Sequence, residues 1–348
     1  AKGSRGSVVS LKLVPVTSSS VETFYQEMMN PPAPLVSIND WAEYFGPVWA
    51  RLLPDQFKSI ICGQSEIGIS TIGWSVGRSW VEYHSKLPNT TRFPCVPYGE
   101  GKKFFDTGRY DYGRRIKMIN DFDPLEEVLN SQKDCDAKIW PGLGMNRHYG
   151  ITSYGGMFSS KWFKENEQWW QWQKNAGSPR GSAVSYFFPE VRRERTDILF
   201  EVAGRGASGI IIGTCRQVPM LLYNPEMVKA YKDNTGIDPL KLDISDGETY
   251  KNWISWRADF FTQVLRDLRS GLKDAFSQEG EPVRIVVRIP SSGLLNNLAQ
   301  GLDIEQWLKE GLVDQLQLDP LEDLGGQGIH DVRTYLELGR EHGVKIFG

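Results

Sequence analysis

Carboxylates, guanidinium groups and one imidazole gather in short polar stretches, each following an apolar run. Gly144-Met145-Asn146-Arg147-His148-Tyr149 follows the run 138–143, and Pro189-Glu190-Val191-Arg192-Arg193 follows 183–188. Thr214-Cys215-Arg216 follows 209–213, Arg288 closes the next run, and Asp319-Pro320-Leu321-Glu322 closes the one after it. Hydrolysis of a glycosidic bond needs two carboxyl groups, one to protonate the leaving oxygen and one as base or nucleophile. Asp319, Glu190 and Glu322 are the candidates, Asp319 first. Asn146, Arg147, His148, Arg216 and Arg288 supply donors for sugar hydroxyls or acidic substituents. Trp162, Trp169, Trp170 and Trp172 cluster after the 138–143 run. Flat indole faces stack on the C–H faces of sugar rings, so Trp169 and Trp170 are read as a carbohydrate platform.

Each assignment has a plain structural alternative. Glu190 in the first turn of a helix would complement the helix dipole. Asp319 before Pro320 would serve a turn. The Trp-rich segment would pack two indoles inward and leave the others at its edge. His148 is equally a loop residue, a donor to ligand, or the base of a lyase.

Other chemistries lack their residues. Gly-x-Ser-x-Gly is absent, so no serine nucleophile elbow is legible. His84, His330 and His342 have no metal-ligand spacing, and no metal is expected. No phosphate loop and no Gly-x-Gly-x-x-Gly after a strand occur, so no nucleotide or other cofactor is expected. Forty Lys+Arg against 43 Asp+Glu, without a basic block, argue against nucleic acid as partner. No apolar run is long enough to span a membrane. Cys62, Cys95, Cys135 and Cys215 form no Cys-x-x-Cys pair, and a disulfide framework of that density would be sparse. Cys62 and Cys215 lie in apolar surroundings and read as buried free thiols. The first residue is Ala1, as in a chain matured by signal cleavage or trimmed.

The elements that must position these groups alternate along the chain. Residues 1–36 read as a flexible or extended arm, and 37–348 as one domain with a long excursion at about 85–122. Strands are expected at 57–62, 138–143, 183–188, 209–213, 283–289, 315–318 and 344–347. Helices are expected from Asp40 to Leu53, from Asp123, from Glu190, at 252–275, around Trp307, and at 330–342. Alternating strands and helices specify an α/β fold with a parallel sheet. Seven strands, the last at the end of the chain, predict a (β/α)8 TIM barrel incomplete at its C-terminal end. Strand eight would come from further sequence, or from an oligomer or second chain completing the barrel. In such a barrel, function sits after the C-terminal ends of the strands, where the polar stretches fall.

Taken in order, several segments resemble the bacterial glycoside-hydrolase-like TIM-barrel families of the glycosyl hydrolase-like 10 type. They are DPLEEVL (123–129), Met145-Asn146, PEVRRERTDIL (189–199), GIIIGTCRQVP (209–219), RIVVRIP (284–290) and GLDIEQWLKEGLVDQL (301–316). The resemblance spans about two-thirds of the chain. It implies a secreted, periplasmic or cell-surface barrel that acts on polysaccharide or oligosaccharide, or descends from enzymes that do. The family's strand-four segment reads Asp, aromatic, any residue, Arg, with that Asp as the expected catalytic acid. Here Gly213-Thr214-Cys215-Arg216 stands instead. Glycine neither accepts a proton nor attacks an anomeric carbon. The chemistry has therefore moved to Asp319, Glu190 or Glu322, or the barrel binds sugar without cutting it.

Overall fold

The structure is a computed structural model, which describes residues 19, 21–22, 35–39, 54–96, 112–146, 148–151, 153–215, 218–276, 282–319 and 332–347. Arg147, Arg216, Glu322 and the helix expected over 40–53 lie outside the described residues.

Among the described residues seven strands form one sheet: β1 (Leu35–Asn39), β2 (Ile69–Gly77), β3 (Lys138–Gly144), β6 (Gly209–Gly213), β7 (Arg284–Pro290), β8 (Gln315–Asp319) and β9 (Lys345–Phe347). Spatial order follows chain order, and every neighbouring pair is parallel. A short antiparallel hairpin, β4 (Trp170–Trp172) with β5 (Pro179–Val184), stands apart from it. Between the strands run α1 (Pro54–Glu66), α2 (Tyr112–Asp121), α3 (Pro124–Ser131), α4 (Lys161–Glu165), α5 (Pro189–Ala203), α6 (Pro225–Thr235) and α7 (Glu248–Phe276). Then come α8 (Leu294–Ala299), α9 (Ile304–Lys309) and α10 (Val332–His342). This is the expected incomplete (β/α)8 architecture, with seven strands among the described residues. No pairing joins β1 to β9 among the described residues.

Burial separates the two faces of the sheet. Ile72, Trp74 and Val76 of β2, Ile210 and Ile212 of β6, and Ile285, Val287 and Ile289 of β7 belong to the large core under the helices. Alternate residues Trp140, Ile211 and Val286 form a small separate cluster on the other face. With side chains alternating sides at each residue, a sheet buried on both faces needs apolar residues in both sets. The second set stops short of the strand ends, where glycines replace bulk.

Three expectations change. Residues 57–62 are helical, within α1. Pro54 begins the helix and Asp55 lies in its first turn, and buried Phe57 and Ile61 stand one helical turn apart. The apolar run FKSIIC was too short to separate that period from a buried strand. The strand missed in its place is β2, with β1 beginning at Leu35, just ahead of residue 37. The segment 183–188 gives only Ala183 and Val184 to the hairpin, and Ser185–Phe188 leads directly into α5. Cys62 is not a free thiol. It is bonded to Cys135, tying α1 to the residues after α3, while Cys95 and buried Cys215 take no part in that disulfide.

Candidate functional site

The C-terminal ends of β2, β3, β6 and β7 surround a hollow of about 80 Å³. Its floor is made by absences of side chain: Gly73, Gly77, Gly142, Gly144 and Gly213 line it, with Arg78 and Arg288 above them. The register explains how they meet, because Gly144 pairs with Gly213 and Gly213 with Arg288. Gly213 is closely covered. A Cβ there would lie 3.2 Å from the Leu143 carbonyl oxygen, so any larger residue at Gly213 fits only if its neighbour shifts.

Arg288 and Asp319 form the charged pair at this mouth. Arg288 Nη2 pairs with Asp319 Oδ2. Asp319 is 3% exposed and the arginine side chain 29%, so the acid is the buried member. Strand ends are tied around them. Pro290 pairs with Asp319 in the sheet, and Ser291 N–H donates to the Asp319 carbonyl at 3.1 Å. Thr214 donates its hydroxyl to the Arg288 carbonyl at 2.6 Å. None of the described residues lining the hollow is a carboxylate, and Asp319 reaches it through Arg288.

The other expected residues fall elsewhere. Asn146 is buried and works as a clamp: its Nδ2 donates to the Pro219 carbonyl at 3.1 Å and its Oδ1 accepts from Val184 N–H at 2.8 Å. His148 is 3% exposed, stacked on Phe163 at 4.4 Å between ring centroids, and neither ring nitrogen has a hydrogen-bond partner among the described residues. Burial, and then the charge of Arg195, hold its pKa well below the ordinary value, which leaves a neutral ring. A group so placed is a poor proton donor to a ligand. Trp170 is a core residue rather than a platform. Its ring stacks on Phe163 at 4.8 Å, its Nε1 donates to the Phe163 carbonyl at 3.0 Å, and an added Cβ at Gly181 would lie 3.2 Å from the indole.

Glu190 and Trp169 share one cleft, but not the hollow at the barrel mouth. They line a second cleft of about 240 Å³, with Trp162, Arg193, Glu194, Asp197 and residues 87–90. Among the described residues this cleft and the mouth share no lining residue. The order Glu190, Glu194, Asp197 repeats at the helical period and could have been seen in the sequence. The mouth glycines carried no such signal, since only the register aligns them.

No protein-family profile matches the chain, and no curated protein is similar to it. Solved structures similar to it include a cycloisomaltooligosaccharide glucanotransferase of Paenibacillus sp. complexed with cycloisomaltoheptaose, at 12% identity, 89% of this chain, 37% of that one and TM-score 0.46. The pneumococcal virulence factor StrH, studied for N-glycan recognition and hydrolysis, is 13% identical over 93% of this chain and 66% of its own, with TM-score 0.46. Trehalose-6-phosphate hydrolase of Bacillus licheniformis is 11% identical over 88% of this chain and 53% of its own, with TM-score 0.44. The chain spans less than two thirds of each of these proteins.

Proposed function

We propose that this chain is a glycoside-hydrolase-type barrel that takes a carbohydrate at its C-terminal mouth and hydrolyses it with Asp319. The observation that carries the reading is the Arg288–Asp319 pair, with the acid its buried member, beside a glycine-lined hollow at the strand ends. Strand ends are where a βα barrel does its chemistry, and a carboxylate there can activate water or attack the anomeric carbon. Glu322, three residues further on in the sequence, is the partner for protonating the leaving oxygen. Arg78 and Arg288 line the hollow, and Arg147 and Arg216 follow β3 and β6 in sequence, which favours an anionic sugar unit. The Cys62–Cys135 disulfide supports a secreted, periplasmic or cell-surface location, because such bonds persist in oxidising compartments.

A second reading has its own support. Gly213 occupies the position where the resembling families carry their acid, and Asp319 is engaged by Arg288. Both favour a barrel that binds carbohydrate without cutting it.

The test is release of reducing ends from a panel of neutral and uronate-containing polysaccharides by wild type and Asp319→Asn. Product from wild type, lost in the variant, is expected. Saturable binding without product, weakened by Arg288→Ala, would replace hydrolysis with the second reading. Neither product nor binding that depends on Arg288 would remove both.

A further inference from the structure

We infer that the cleft between residues 87–90 and α5 is a second carbohydrate-binding site, independent of the barrel mouth, that holds one neutral sugar ring against Trp169. Its size sets the first limit. At about 240 Å³ it is smaller than the roughly 300–1,000 Å³ of pockets for drug-sized ligands, so it fits a single ring rather than an enclosed chain.

The walls decide the chemistry. Trp169 is half-buried and lies 5.2 Å from Trp162, centroid to centroid, with 35° between the ring planes. Trp162 is itself buried, with the guanidinium of the fully buried Arg195 5.8 Å over its ring. The indole of Trp169 is thus a propped, partly exposed face, as stacking on the C–H side of a sugar requires. Facing it are Glu190, Glu194 and Asp197, spaced by about one helical turn along α5, with Arg193 among them. Most of that charge is offset locally. Arg195 grips Glu194 through Nε and Nη2, and burial raises the pKa of Asp197 against the smaller opposing effect of the Arg193 charge. What remains is a wall rich in hydrogen-bond acceptors with one guanidinium donor. Hydroxyl groups are donors and match it, whereas a uronate or sulfate would add its charge to a wall that, with Arg193 and Arg195 set against Glu190, Glu194 and Asp197, keeps an excess of negative charge. The ligand class is therefore a neutral pyranose or furanose unit, the opposite preference to that of the mouth. In this site Glu190 is a ligand for hydroxyls, not an acid for catalysis.

The experiment is calorimetric titration of the full chain with cellohexaose, xylohexaose, mannohexaose and a hexameric uronate. Wild type is compared with Trp169→Ala, Glu190→Gln and Arg288→Ala. At least one neutral hexamer is expected to bind, with affinity unchanged in Arg288→Ala and about tenfold weaker in Trp169→Ala. Glu190 is exposed, so Glu190→Gln leaves the fold intact and decides the matter should Trp169→Ala fail to fold. Weakening in Glu190→Gln supports the site. Absence of binding by every neutral hexamer overturns it, as does binding lost in Arg288→Ala but kept in both cleft variants. Hydrolysis at the mouth stands or falls separately, on product formation and Asp319→Asn.

Discussion

Gly209 shows how one residue type is imposed by a neighbour. Trp140 is 4% exposed, fills the barrel interior with Ile211 and Val286, and donates its Nε1 to Ser208 Oγ at 3.1 Å. A Cβ at Gly209 would sit 2.7 Å from the indole, inside contact distance, so only glycine fits beneath the ring. Gly209→Ala is expected to destabilise the fold by about 1–3 kcal/mol, as overpacking does. An unchanged urea midpoint would show that Trp140 has room to move. His148 makes a prediction of opposite kind. The native imidazole stays neutral because burial and Arg195 hold its pKa down, while the unfolded chain titrates near the ordinary 6.5. Below that value the unfolded state takes up a proton that the native state refuses. Stability is therefore full above about pH 6.5 and falls by up to about 1.4 kcal/mol per pH unit beneath it, until the native value is reached. His148→Phe keeps the stack on Phe163 and removes the proton. Denaturant titrations at about pH 7.5 and pH 5 should show a smaller acid loss in the variant than in wild type. Equal losses would refute the assignment.

At the scale of elements, α3 is bounded by signals that need no tertiary context. Asp123 caps it by accepting from Leu125 N–H at 3.0 Å, and Pro124 opens it. The same carboxylate also accepts from His84 N–H at 3.1 Å and from Arg205 Nη1 at 2.6 Å, linking α3 to the loop after β2 and to the end of α5. That second role was invisible in the sequence, because its partners are remote along the chain. The disulfide is similar. Cys62 and Cys135 are 73 residues apart, and their pairing depends on α1 packing against α3. On the chain-entropy account, opening a loop of that length costs about 4 kcal/mol. Cys62→Ser with Cys135→Ser should lower the denaturation midpoint accordingly, and reductant should do the same to wild type. No shift with either would mean that the unfolded chain gains nothing from release.

At the scale of the molecule, a parallel sheet with β1 at one end and β9 at the other presents two strand edges among the described residues. Unpaired edges invite further pairing, and an oligomer or second chain at that gap remains our proposal for what covers them. The location proposed for the protein has a chemical consequence. Chain recovered from an oxidising compartment should expose two thiols when unfolded, from Cys95 and Cys215, and four after reduction. Four thiols before reduction would argue for a reducing location.

Alternation of apolar runs with helical periods carried the α/β class, and five of the seven sheet strands are visible as runs in the chain. So were α5, α7 and the cap of α3, because helix period, caps and buried strands are properties of near neighbours. What only the tertiary structure decided is which polar residues stand together. Glu190 and Asp319 looked alike as acids after apolar runs, yet one lies with Trp169 on the flank of α5 and the other with Arg288 at the strand ends. Strand register and helix docking separate them, and both arise from contacts between residues far apart in the chain.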